Sequence, residues 1–280
     1  MLSADEAVDF AQKLEDWGYG ALWIPEAVGR DPFALLAFVA ARTERLVLAT
    51  GIANVYARDP MSLRALQQTM AELSHGRFVL GLGVSHKPMV ADLRGHDYAR
   101  PLSTMRTVLE SMKRSLYLGP TPTEEAPVVI GALRPKMLAL AAELAQGAHP
   151  YNVPPEHTAR AREILGAGPL LCPDQKAILV KDATRARELG RQHLATYLGL
   201  PNYRNNWLSL GFEEADFEHG GSDRLIDAVF VWGGESAIAA RIQAHLDAGA
   251  DHVCLQPIRG DGQLGPDLTI LEIFAPAKNH

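Results

Sequence analysis

Apolar positions along this chain switch repeatedly between a helical period and short unbroken runs. Ser3 and Glu6 have the spacing of a capping box, and Val8, Ala11, Leu14 and Trp17 follow at helical spacing until Gly18 and Gly20 stop the pattern. Ala21-Leu22-Trp23-Ile24 is a short apolar run that ends at Pro25-Glu26, which predicts a buried strand. Residues 32–43 predict a helix with Pro32 in its first turn. Leu46–Thr50 predicts the next strand, 62–73 a helix and Phe78–Leu82 a strand. A helix over about 101–117 precedes a strand over Pro127–Ile130, and Pro135 opens a helix to Leu144. Ala148-His149 marks a strand end, residues 155–165 read as helix, Ala177–Val180 as strand and 183–197 as helix. Residues 201–232 read as helix with loops, an insertion. Glu235–Ala248 is an amphipathic helix stopped by Gly249, and Val253–Pro257 is the last strand.

Regular alternation of strand and helix predicts a parallel sheet. A closed (β/α)8 barrel and an open doubly wound sheet share that alternation. No G-x-G-x-x-G opens a helix after the first strand, and Gly81-Leu82-Gly83 lacks the third glycine, which weakens a dinucleotide-binding reading. Seven strands are legible, one short of a closed barrel, and the eighth should precede residue 3. The expectation is one α/β-barrel domain over residues 1–280, with the helical insertion near its end.

Composition narrows the function more than the fold. The 280 residues are 47% hydrophobic and carry a net charge of −6, with Lys and Arg scattered, so no electrostatic footprint for nucleic acid is present. The two cysteines, Cys172 and Cys254, give neither a disulfide framework nor metal-ligand spacing and are expected to be small buried apolar residues. The acidic start MLSADEAVDF lacks signal-peptide character, and no apolar run is long enough to span a bilayer, so a cytoplasmic protein is expected. There is no H-E-x-x-H, no G-x-S-x-G and no Walker loop. His193, His245 and His252 read as ordinary surface or core residues, and Arg58 either lines the same loop wall as Asn54, together with Tyr56, or forms a local ion pair with Asp59. The polar, aromatic stretch Pro201–Trp207 suits either a lid or an oligomer contact.

GYGALWIPE, ATGIANVYARDP, GRFVLGLGVSH, KMLALAAELAQGAHPY and AGADHVCLQ, in this order and spacing, resemble the luciferase-like flavin monooxygenase superfamily. They are most similar to its branch of coenzyme F420-dependent oxidoreductases, over about Ala7–Pro257. The resemblance implies a luciferase-like TIM barrel with insertions, and a flavin or the deazaflavin F420 at the C-terminal ends of its strands. Two departures stand out. Family members begin with a strand before the first helix, and many carry a His after the Pro-Glu where this chain has Ala27-Val28.

Carried onto these positions, the family pattern implies a cis peptide at Gly51–Ile52 that props the central ring from behind. Asn54 has a carboxamide able to meet the pyrimidine edge of such a ring, or alternatively to close an Asx-turn. Gly83 and Ser85 let backbone approach a flat ring, and His86 can exchange a proton near neutral pH. Gly131-Ala132-Leu133-Arg134 with Lys136 follows a strand and opens a helix, a place for the cofactor phosphate. Relatives often show Gly-Pro where this chain has Arg134-Pro135. His149 ends a strand and is a candidate for ring or substrate contact. Glu26 is a candidate acid or substrate contact, or a structural partner for a neighbouring loop.

The reading is an F420-dependent oxidoreductase moving a hydride between the deazaflavin and a small organic substrate, with His86 or Glu26 on the proton path. One alternative is an FMN-dependent monooxygenase. Another, from a different class, is a non-catalytic barrel that has lost cofactor binding. No metal is expected, and a homodimer is the default assembly.

Overall fold

Ser3 caps the first helix as its spacing predicts: its hydroxyl accepts from Glu6 N at 3.2 Å, and the Glu6 carboxylate accepts from Ser3 N at 2.6 Å. The computed structural model describes residues 2–278. They form two compact units. One contains Leu2–Gly131, Leu140–Gly147 and the chain from Ala275; the other contains Ala132–Ala139 and Ala148–Phe274.

The first unit builds a parallel sheet. Its elements are α1 (Ala4–Asp16), β1 (Ala21–Ile24), α2 (Pro32–Ala40), β2 (Val47–Thr50), β3 (Ala53–Asn54), α3 (Pro60–Leu73), β4 (Phe78–Gly83), α4 (Pro101–Arg114) and β5 (Val128–Ile130). Strand β1 pairs with β2 in the register Ala21 to Val47, β2 with β4 from Leu48 to Phe78, and β4 with β5 from Leu80 to Val128. Leu48, Leu80 and Leu82 of the sheet and Leu36, Val39 and Leu63 of the helices have no exposed surface. Asp31 and Asp59 cap α2 and α3, each with Pro in the first turn, where a missing N–H costs nothing.

Beneath the sheet, the loop from α2 to β2 is held by two side chains. The Glu15 carboxylate accepts the N–H groups of Glu44, Arg45 and Leu46 at 2.7–3.0 Å. The Arg77 guanidinium donates to the carbonyls of Leu46, Thr43 and Ala40 at 2.8–3.2 Å.

Helix α5 (Pro135–Leu144) and β6 (Gly147–Ala148) lead into the second unit. There follow α6 (Pro155–Leu165), β7 (Leu170–Leu171), β8 (Asp174–Ile178), α7 (Ala183–Leu198), α8 (Pro201–Ser209), α9 (Asp223–Val229), β9 (Phe230–Trp232), α10 (Glu235–Asp247), β10 (Cys254–Ile258) and α11 (Leu268–Ile273). Strand β8 lies between β10 and β9, parallel to both. Its core gathers Leu189, Leu194, Trp207, Leu225, Ile226 and Phe230.

The structure corrects several boundaries. Strand β8 starts at Asp174, three residues before the position its apolar run suggests. Its first residues are polar, and they are buried because distant partners satisfy them. Phe230–Trp232 is a strand inside the segment read as helical insertion. The stretch Pro201–Trp207 is the body of α8, with Tyr203 and Trp207 in the core and the indole N–H donating to Asn152 O at 3.1 Å. That burial takes its main aromatic surface away from a lid or a subunit contact. Among the described residues no helix is long and apolar enough to cross a membrane, and no cluster of His, Cys, Asp or Glu could hold a metal ion.

Candidate functional site

Parallel pairing places the C-terminal ends of β1, β2, β4 and β5 on one edge of the first unit: β2 ends at Thr50 and β4 at Gly83, while β1 runs on into Pro25-Glu26 and β5 into Gly131. Main-chain bonds continue the pairing past the strands. Gly51 N donates to Ile24 O at 2.8 Å, Glu26 N to Ile52 O at 3.2 Å, Val55 N to Gly83 O at 3.0 Å and Gly131 N to Leu82 O at 2.8 Å. The Gly51–Ile52 peptide is cis, as the resemblance implies.

Ile52 explains the glycine at position 83. A Cβ built on Gly83 would lie 2.5 Å from Ile52 Cγ1 and closer still to Cδ1. At Gly131 the same test gives ordinary contact with Ile52, 3.7 Å to Cγ2, so this glycine is not sterically required. At Gly81 the obstacle is main chain: a Cβ would overlap the Thr50 carbonyl oxygen and come within 2.9 Å of its carbon. The Thr50 hydroxyl reinforces that approach, donating to Gly81 O at 2.8 Å and accepting from Gly81 N at 2.9 Å.

Glu26 is engaged on both oxygens. It accepts from Asn54 N at 2.7 Å and from the Arg58 guanidinium at 2.9 Å. Arg58 also pairs with Asp31. The Arg58-Asp59 local pair is therefore corrected: Arg58 turns to carboxylates 27–32 positions earlier, while Asp59 accepts from Met61 N and Ser62 N as the cap of α3. Against the upward push of burial, the backbone N–H of Ala34 and then the Arg58 guanidinium hold the Asp31 carboxyl below its ordinary value.

Asn54 is buried, and its Oδ1 accepts from Tyr56 N at 3.0 Å, closing an Asx-turn. This fixes the carboxamide plane and leaves its NH2 as the donor pointing onward. The Tyr56 hydroxyl is buried with no partner among the described residues. Its ring lies 5.6 Å from that of Tyr98, whose hydroxyl donates to Ser85 O at 2.8 Å and is pushed up to about 12 by burial. Ser85 has a positive φ of 54°, and His86 follows it half-buried, its carbonyl accepting from Met89 N and Val90 N. A cleft of about 340 Å³ adjoins Glu26, lined also by Asp31, Val28, Arg30, Leu93 and Arg94.

The second unit holds the other sequence candidates. Ala132 is buried, Leu133 O accepts from His157 Nε2 at 2.7 Å, and Arg134 and Lys136 are exposed at the start of α5. His149 is buried, with Nδ1 2.6 Å from Cys172 O. A carbonyl only accepts, so Nδ1 carries the proton and Nε2 is the acceptor of the neutral ring. Burial keeps that ring below the ordinary histidine value. Both cysteines are free, and burial pushes the Cys172 thiol up to about 12 and Cys254 well above its usual value, so neither acts as a thiolate.

A polar cluster that the sequence reading missed lies on β8 and β10. Asp174 Oδ2 accepts from Lys176 Nζ at 2.8 Å, and Asp174 Oδ1 accepts from Asn152 N at 2.8 Å. Lys176 Nζ sits 3.6 Å from the centre of the Tyr151 ring, and the Tyr151 hydroxyl donates to Gln256 at 3.0 Å. The signal was present as opposite charges two residues apart, which a strand places on one face.

The luciferase-like monooxygenase family model matches residues 2–252. A protein of Mycobacterium tuberculosis provisionally named a coenzyme F420-dependent oxidoreductase is 25% identical over 246 residues, 72% of this chain and 68% of that protein. The coenzyme F420-dependent tetrahydromethanopterin reductase of Methanopyrus kandleri superposes with a TM-score of 0.72 at 20% identity, covering 98% of this chain and 94% of that one. The oxygenating constituent of 3,6-diketocamphane monooxygenase from Pseudomonas putida, a type II Baeyer-Villiger monooxygenase in complex with FMN, gives 0.66 at 16%, covering 90% and 85%. The α/β fold with parallel strands is that of these luciferase-like barrel enzymes. By sequence match and by fold alike, the chain belongs to the luciferase-like monooxygenase family, whose members similar to it are oxidoreductases and monooxygenases.

Proposed function

We propose that this protein is an F420-dependent oxidoreductase acting on a small organic substrate. The observation that carries the reading is the wall formed by Asn54 and Tyr56. A carboxamide fixed by its own turn and a buried hydroxyl without a partner fit the polar edge of a flat ring. The backbone at Gly51–Ile52 supports such a ring from behind, and Ser85 closes the same wall through Tyr98. Bound there, F420 supplies a hydride donor and acceptor at a ring carbon.

The chain's own residues do the rest. Glu26 fixes Asn54 and Arg58, and with both oxygens engaged it serves position rather than proton transfer. His86 then carries the proton, because imidazole exchanges protons near neutral pH. The exposed Arg134 and Lys136 supply positive charge at a helix start, where a phosphate is favoured.

Likeness to an FMN-bound monooxygenase favours a second reading, in which reduced FMN and oxygen replace the deazaflavin. Separate fluorescence titrations with F420 and FMN decide between them. Tight F420 binding that Asn54→Ala weakens about tenfold supports hydride transfer. Preference for FMN moves the protein to the monooxygenases, and binding of neither makes it a non-catalytic barrel.

A further inference from the structure

The cleft beside Glu26 has an unusual charge balance. Two carboxylates, Glu26 and Asp31, line it, and both are spent on Arg58. Two further guanidinium groups line it as well, Arg30 and Arg94, and neither makes a hydrogen bond or ion pair among the described residues. An exposed arginine beside acidic groups ordinarily turns to them. Here Arg58 has already taken the acidic groups, and the positive charge left over faces the cavity.

Apolar surface lies beside that charge. Val28 is 69% exposed and Leu93 62% exposed, and both line the same cleft. Its volume of about 340 Å³ lies within the range of small-molecule sites. Glu26 is shared between this cleft and the Asn54 wall, so a ligand in the cleft lies next to the proposed ring site.

We propose that this cleft binds an amphiphilic organic anion: a carboxylate or phosphate monoester with a short apolar body. The headgroup is held by Arg30 and Arg94, and the body rests on Val28 and Leu93. A guanidinium pairs with either headgroup through two parallel N–H bonds, and the apolar side chains favour a hydrocarbon body over a bare ion. As the substrate class of the oxidoreductase this rests on the F420 reading; as an anion site it stands on the cleft alone.

Calorimetric titration of the full chain with hexanoate, hexyl phosphate, hexanamide and acetate tests it. Hexanoate or hexyl phosphate should bind at least about tenfold more tightly than neutral hexanamide, since hydrogen bonds to charged groups are worth that much. The tighter of the two identifies the headgroup. Acetate should bind more weakly than hexanoate. Arg30→Gln and Arg94→Gln should each reduce the preference over hexanamide, and the double variant should abolish it. Both residues are exposed, so these variants fold. Equal binding of hexanoate and hexanamide, or a preference that survives in the double variant, overturns the proposal. So does displacement of hexanoate by F420, which would give the cleft to the cofactor. F420 titration of the same protein separates the two readings. F420 binding without anion preference leaves the cofactor reading intact and removes this one. Anion preference without F420 binding does the reverse.

Discussion

Replacing Gly83 by alanine tests whether Ile52 shapes the edge where the candidate site lies. The new Cβ would sit 2.5 Å from Ile52 Cγ1, whereas ordinary carbon–carbon contact is about 3.5–4.0 Å. Ile52 must therefore retreat by about 1 Å into packed surroundings. Such overpacking costs about 1–3 kcal/mol, while Gly→Ala in a strand otherwise gains about 0.5–1 kcal/mol. The expected loss for Gly83→Ala is about 1–2 kcal/mol, read as a shift of the urea midpoint at constant slope. Ile52→Ala alone costs about 2 kcal/mol, the lower end for a large-to-small change, because Ile52 is only half-buried. In the double variant the clash is gone, so Gly83→Ala should become neutral or stabilising, a coupling of about 1–3 kcal/mol. Gly81→Ala is the control. Its obstacle is the main chain of Thr50, which Ile52→Ala does not remove, so its loss should persist in the Ile52→Ala background. Additivity of Gly83→Ala and Ile52→Ala to within about 0.5 kcal/mol would refute the reasoning.

Three further outcomes follow from buried polar groups. Asp174→Asn leaves the Lys176 ammonium buried without its counter-charge and should cost about 3–5 kcal/mol in urea unfolding, with a smaller loss if Lys176→Met is added. Glu26→Gln removes the charge that fixes Arg58 and should destabilise by about 1–3 kcal/mol and weaken ligand binding at the Asn54 wall, measured by denaturation and F420 titration. His245 is fully buried between the Thr158 hydroxyl and Gln175 Oε1, and burial with Arg241 nearby lowers it from 6.5 to about 4. Its folded value lies below the unfolded one, so the unfolded chain binds the proton first. Stability from this group is complete above about pH 6.5 and falls by about 3 kcal/mol as pH drops to 4; His245→Gln should flatten that slope in pH-dependent unfolding.

Legibility of the fold followed the range of the interactions. Ser3 and Glu6 satisfy each other within one turn, so the start of α1 could be read directly. Strands β1, β2, β4 and β5 of the first unit are apolar runs and lie within a residue of their predicted bounds, whereas the two-residue β3, Ala53-Asn54, has no apolar run to mark it. Strand β8 lies further from its predicted start. Asp174, Gln175 and Lys176 look like a loop because the groups that permit their burial, Asn152, Val229 O and Tyr151, come from distant positions. Arg58 misled in the same way, with Asp59 adjacent in sequence but Glu26 and Asp31 adjacent in space. Strand ends carrying Gly51, Asn54, Gly83 and Ser85 stand out from their apolar surroundings, which marks this edge as the candidate site. The division of labour inside it was not legible, since only coordinates reveal that both oxygens of Glu26 are already engaged.

The loop from α2 to β2 has a consequence for how this protein can change over generations. Glu15 and Arg77 bond mainly to its main chain, three N–H groups on one side and three carbonyls on the other, and add side-chain contacts with Arg45 at 4.0 Å and the Thr43 hydroxyl at 3.2 Å. Glu44 is held through its backbone alone, and the Arg45 side chain, 67% exposed, adds only a long surface ion pair worth little. Positions 44 and 45 can therefore drift in sequence with little loss, provided those two distant side chains and the buried Thr43 stay. Heritable variation is tolerated at this end of the sheet, and two residues far from the loop in sequence guard its shape.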